Sequence, residues 1–88
     1  MRFKEGKLYK NLFMDYGGMY QEVIFKIVDS DYDHHKAYWE YQIELISPKY
    51  FTNPKGETSN RFWVRTPFMA SSEELPDNHP ATLLYGKK

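Results

Sequence analysis

The stretch DSDYDHHKAYWE, Asp29 to Glu40, carries Asp at its first, third and fifth positions and Glu at its twelfth. Those are the spacings at which an EF-hand loop sets its carboxylate ligands around calcium. The loop also needs glycine at its sixth position, where the backbone turns sharply, and a helix on each flank. Here the sixth position is His34 and the eighth, ordinarily apolar, is Lys36. A left-handed conformation at a non-glycine residue costs about 1–2 kcal/mol, enough to weaken a site without abolishing it. The flanks decide against the motif, because they alternate as strands do. A looser divalent site on Asp29, Asp31 and Asp33 demands less, and a solvated acidic hairpin loop demands nothing; the last is the expectation.

The other reactive side chains carry weaker patterns. His34 and His35 are adjacent, so in an extended chain they point to opposite sides and do not readily share an ion. Either could join Asp31, Asp33 or the distant His79 around zinc, but there is no cysteine and no H-x-x-x-H spacing to support it. No G-x-S-x-G or Walker sequence occurs, and DYGGMY lacks the spacing of a phosphate-cradling loop. Glu40 and Glu44 are two acids on one strand face, which is ordinarily the wet side of a sheet. The expectation is a non-enzymatic protein that needs no cofactor and no metal.

Composition sets wider bounds. Eighty-eight residues make one domain, 1–88, and a chain of that size buries only about 60–65% of its unfolded surface. The lack of cysteine leaves packing alone to hold the core. No apolar run approaches the roughly 20 residues of a membrane helix, and MRFKEGKLYK has no apolar segment after its basic residues. These features suggest a cytoplasmic protein without a membrane partner. Twelve basic residues balance twelve acidic ones, whereas proteins that live by phosphate contacts usually show a basic excess. Aromatic residues make up 18% of the chain, more than a small core requires, so some rings are expected on the surface.

Periodicity supplies the elements. YQEVIFKIVD sets Val23, Phe25 and Ile27 against Glu22 and Lys26, and β-branched residues favour a pleated strand. From Ala37 onward, Ala37, Trp39, Tyr41, Ile43 and Leu45 alternate with Tyr38, Glu40, Gln42 and Glu44. An antiparallel hairpin with an unusually long acidic connection follows. SPKYFTNPKGETSN, with two prolines and a glycine, is an excursion. RFWVRTPF resumes alternation, Phe62 and Val64 against Trp63 and Arg65, and Pro67 marks an edge or strand end. FKEGKLYKNL gives a turn at Gly6 and a further strand. SSEELP offers Ser71 with Glu74 three residues on, a capping box for one helical turn near 71–75. ATLLYGKK is a fifth strand or a docked tail.

About five short strands with one helical turn make the fold mainly all-β, a small antiparallel barrel, with an α+β sheet as the alternative. The order of FKEGKLYK, two long central strands, then a strand running into SSEEL resembles the SH3-like barrels of small bacterial and phage proteins. The resemblance lies in layout and implies a scaffold that binds peptides, proteins or nucleic acids.

Two binding surfaces are legible. In the first, Tyr38, Glu40, Trp63 and Arg65 share the polar face and form a protein-binding patch, since Tyr, Trp and Arg combine contact area with polar reach. The loop residues Asp31, Asp33, His34 and His35 extend it. The expected role is that of an accessory or inhibitory factor of phage type; alternatively, Trp63 caps a barrel end or lies under the 47–60 excursion. In the second, single-stranded nucleic acid stacks on Tyr9, Tyr50, Phe51 and Trp63 while Lys7, Lys10, Lys49, Lys55, Arg61 and Arg65 follow its backbone. An exposed strand edge also permits a homodimer.

Overall fold

The computed structural model describes residues 3–85. In chain order they form β1 (Leu8–Met14), β2 (Tyr20–Asp33), β3 (Tyr38–Ser47), β4 (Phe51–Thr52), β5 (Thr58–Ser59), β6 (Arg61–Arg65), α1 (Thr66–Ala70), β7 (Glu73–Glu74) and α2 (Pro80–Tyr85). Five strands pair antiparallel in the order β6-β3-β2-β1-β7, and β4 with β5 makes a separate two-stranded ribbon. The fold is mainly β, as the alternation requires. It is an open sheet rather than a closed barrel, because β6 and β7 are both edges.

One face of the sheet is apolar. Tyr9, Val23, Phe25, Ile27, Tyr41, Ile43 and Leu45 are buried on it, joined by Phe51 from β4 and Met69 from α1. The period-2 pattern of β2 and β3 therefore holds through their middles. Phe13 is the hub that curls the sheet. Its ring lies 5.3 Å from Phe51, 5.6 Å from Phe62 and 5.3 Å from Phe68, which draws β1, β6, the ribbon and α1 around one cluster. On the reverse face, Leu8 and Leu75 are buried and α2 lies against β1.

The connections depart from expectation in instructive ways. The supposed acidic loop is mostly strand: β2 continues to Asp33, paired with Tyr38, and the turn occupies only residues 34–37. The Asp33 carboxylate accepts the N–H groups of His35 and Lys36 at 2.9 and 3.1 Å and so closes the turn itself. Ala37 is not a core-facing strand residue but the turn's left-handed position, with φ of 57°. Trp39 keeps the core-side phase but lies past the end of the core, 40% exposed. It stacks on Tyr41 and meets Tyr32 edge-on.

The helical turn begins earlier than the capping box at 71–75 implies. Pro67 sits in the first turn of α1, where its missing N–H costs nothing, and Ser71 ends the helix, its hydroxyl donating back to the Phe68 carbonyl at 2.9 Å. Glu73 and Glu74 then pair with Lys10 and Tyr9 as β7. The segment read as a last strand or tail is α2 up to Tyr85; residues 86–88 lie outside the described set.

Two polar side chains fasten these parts. Asn11 Nδ2 donates to the Phe68 carbonyl and to the Ser71 and Ser72 hydroxyls at 2.9–3.1 Å, which ties α1 to β1. Replacing Asn11 by Ala removes the side-chain bonds between β1 and α1, while the Phe68 carbonyl keeps the Ser71 and Ser72 hydroxyls as donors. It is expected to lower stability by about 0.5–1.5 kcal/mol, read by urea unfolding, with α1 amides losing protection first. Asp15 closes the β1–β2 turn, its carboxylate accepting from the Met19 N–H at 2.9 Å and Gln21 Nε2 at 2.8 Å. Those bonds hold its pKa below the ordinary carboxylate value. A depressed folded pKa adds stability that is present above the unfolded value and lost as pH falls through the folded one. Hydrogen exchange at the Met19 amide should therefore accelerate, beyond its intrinsic pH dependence, in acid below the ordinary carboxylate range, and Asp15→Ala should abolish that step.

Candidate functional site

The polar face of β2, β3 and β6 is built by register. Directly paired residues share a side of the sheet, so β3 and β6 set Glu40 beside Arg65, Gln42 beside Trp63, and Glu44 beside Arg61. On the other flank of β3, Asp31 pairs with Glu40, Asp29 with Gln42 and Asp33 with Tyr38. The acids reach this face through a bulge. Val28 has no partner on β3, since Ile27 pairs with Ile43 and Asp29 with Gln42. Simple alternation from Ile27 would have turned Asp29, Asp31 and Asp33 toward the core side; the extra residue reverses the phase.

The four residues assigned to partner binding, Tyr38, Glu40, Trp63 and Arg65, thus lie together. The Arg65 guanidinium sits 4.7 Å from the centre of the Tyr38 ring, a cation–π contact. Lys36 approaches the same ring at 5.9 Å. Arg61 is held by Glu44 at 3.0 Å, whereas Arg65 makes no ion pair among the described residues. Trp63 is 49% exposed, so it is neither a barrel plug nor roofed by the excursion. The Tyr38 hydroxyl is enclosed and makes no hydrogen bond among the described residues.

The loop candidates divide. Asp31 belongs to the face beside Glu40, while Asp33 is spent on its turn. His34 packs edge-on against Tyr32, with ring centres 5.0 Å apart, and both His34 and His35 are exposed. No three His, Asp or Glu side chains converge as metal ligands among the described residues. Asp29, Asp31 and Asp33 are spaced out along one strand instead of around the helix-flanked loop that the calcium spacing requires. The nucleic-acid reading loses rings as well, because Tyr9 and Phe51 are core residues.

Sequence reasoning missed a groove beside this face. Trp63, Val64 and Arg65 form one wall, and Leu12, Phe13 and Met14 the other. Phe51, Asn53, Pro54 and Phe68 complete its lining, and it is an open depression of about 480 Å³ rather than an enclosed cavity. Trp63 and Arg65 line it and also belong to the polar face. The exposed Leu12 and Met14 in β1 were its one trace in the sequence, visible only once β1 is known to curl toward β6.

Comparison with protein-family models, with curated proteins and with solved structures gives no match. No helix of the described residues is long and apolar enough to cross a membrane. Tyr38 and Arg65 are expected to couple by about 0.5–1 kcal/mol in a double-mutant cycle of Ala variants followed by urea unfolding. Tyr38→Phe should leave stability unchanged or slightly raised, since it removes a desolvated hydroxyl that has no partner among the described residues.

Proposed function

We propose that this chain is a non-enzymatic protein-binding module that engages its partner through the strip Tyr38, Glu40, Trp63 and Arg65. Trp63 carries the reading: a half-exposed indole beside an apolar groove and an Arg65 that makes no ion pair among the described residues is the kind of anchor that dominates interface energetics. Asp31 and Glu40 give the same strip an acidic flank, which adds selectivity and register more than affinity. A role as an accessory or inhibitory factor, of the phage type whose layout the sequence resembles, is consistent with a domain that works by occupying a partner's surface.

Single-stranded nucleic acid is the second reading, and its cations count against it. Lys10 is drawn between Glu22 and Glu73 at 3.7 and 3.6 Å, Lys7 pairs with Asp77 at 3.3 Å, and Arg61 with Glu44. Phosphate contact would have to break those pairs. The exposed Tyr50 and Trp63 remain in its favour, as does Arg65, which makes no ion pair among the described residues.

Affinity capture from a bacterial lysate, with mass spectrometry, tests the choice. The wild type is expected to retain a discrete protein that a folded Tyr38→Ala/Trp63→Ala variant loses. Retention of nucleic acid alone, released by moderate salt, would overturn the reading in favour of the second.

A further inference from the structure

The ladder between β3 and β6 fixes which backbone groups of β6 are already used. The Leu45 N–H donates to the Asn60 carbonyl at 2.8 Å, in the same register that pairs Glu44 with Arg61. Antiparallel ladders alternate, so Phe62 and Val64 turn their peptide groups toward β3 while Arg61, Trp63 and Arg65 turn theirs away. Arg61 is covered on that side by the Ser59 hydroxyl, which accepts its N–H at 3.1 Å and donates to its carbonyl at 2.9 Å. Trp63 is left with its N–H and carbonyl directed out from the edge, along the groove that β1 faces from the other side.

We infer that this edge accepts an extended acidic segment of the partner protein as an added strand. The inference rests on the protein-binding reading and names what that partner presents. β3 shows the required chemistry, since it already offers Glu40, Gln42 and Glu44 to Arg65, Trp63 and Arg61 on the polar face, and Tyr41 and Ile43 to Val64 and Phe62 on the apolar one. A strand on the free side of β6 meets the same residues from the opposite flank. Its best complement repeats that order: acidic, apolar, neutral, apolar, acidic. The acids flank the Trp63 indole; the one opposite Arg65 meets a guanidinium that makes no ion pair among the described residues, the one opposite Arg61 joins the existing Glu44 pair, and the apolar side chains enter the groove beside Phe51 and Phe68.

A second copy of this chain is a poorer occupant. Two-fold pairing through the free Trp63 peptide groups sets Trp63 against Trp63 and places Arg61 opposite Arg65 twice. Like charges directly opposite one another destabilise a pair of strands, and basic residues on an edge are a usual guard against self-pairing. The same two arginines that repel a copy attract an acidic strand.

The test uses two synthetic peptides, Ser-Glu-Val-Gln-Val-Glu-Ser and the version with both Glu replaced by Lys, titrated into the isotope-labelled full chain and followed by amide NMR. The acidic peptide should bind about tenfold more tightly than the basic one, with the largest shifts at Trp63, Val64 and Met14. In an Arg65→Glu variant, whose spectrum first confirms the fold, the preference should shrink or reverse. Equal binding, shifts elsewhere, or binding of neither peptide would overturn strand addition. If neither peptide binds while the Tyr38- and Trp63-dependent partner is still captured, strand addition falls and protein binding stands. Salt-sensitive shifts of the same amides by oligothymidine, with neither peptide binding, would overturn both.

Discussion

The arrangement of this molecule's surface depends on one unpaired residue, Val28. From Phe25 to Ile27, β2 keeps step with β3, and Val23, Phe25 and Ile27 all enter the core. Had that phase continued, three aspartates would have followed Val23, Phe25 and Ile27 onto the apolar side. Ionised carboxylates there would lie against the rings of Tyr41 and Trp39 instead of along the polar face. The bulge turns them outward and brings Ser30 and Tyr32 to the inner side, where Tyr32 meets Trp39. The long hairpin can thus run well beyond the core and still keep a coherent polar face.

The cluster at Phe13 imposes the second constraint. A five-stranded sheet packed on one side by a one-turn helix and a two-stranded ribbon has too few layers to stay flat and dry. The sheet curls until rings from β1, β4, β6 and α1 meet at one place. Curling brings two edges into view of each other without joining them. The gap keeps an apolar lining and walls of unequal character, with Leu12 and Met14 on one and Trp63 and Arg65 on the other. The groove is therefore a by-product of how the core is filled, and its chemistry is set by which residues happen to border the seam.

Much of the fold was legible because alternation is a direct imprint of one-sided burial. The phases of Val23 to Ile27, Tyr41 to Leu45 and Phe62 to Val64 all hold, and with them the grouping of Tyr38, Glu40, Trp63 and Arg65. The parts that were not legible have physical causes. A bulge leaves no mark in a single sequence, so the acidic stretch read as a loop although it continues a strand. The α1 turn was misplaced because Ser71 and Glu74 fit a helix start as well as Ser71 fits a helix end, and the bond from Asn11 that settles the matter spans 60 positions to Ser71. Sheet closure depends on whether β1 and β6 meet, which neither strand's own pattern records.

The ribbon of β4 and β5 is closed at both ends by asparagine. Asn60 Nδ2 donates to the carbonyls of Lys49 and Leu45, pinning the base. Asn53 organises the tip, its Oδ1 accepting from the Lys55 and Glu57 amides and its Nδ2 donating to Glu57. Such a self-contained protrusion is a natural graft point, where foreign sequence disturbs little of the host. Asn53 and Pro54 also line the groove. A dye or an affinity handle attached at Lys55, the next residue along the exposed tip, would sit beside it and sense whatever binds there, so the molecule carries its own mounting point for a reporter.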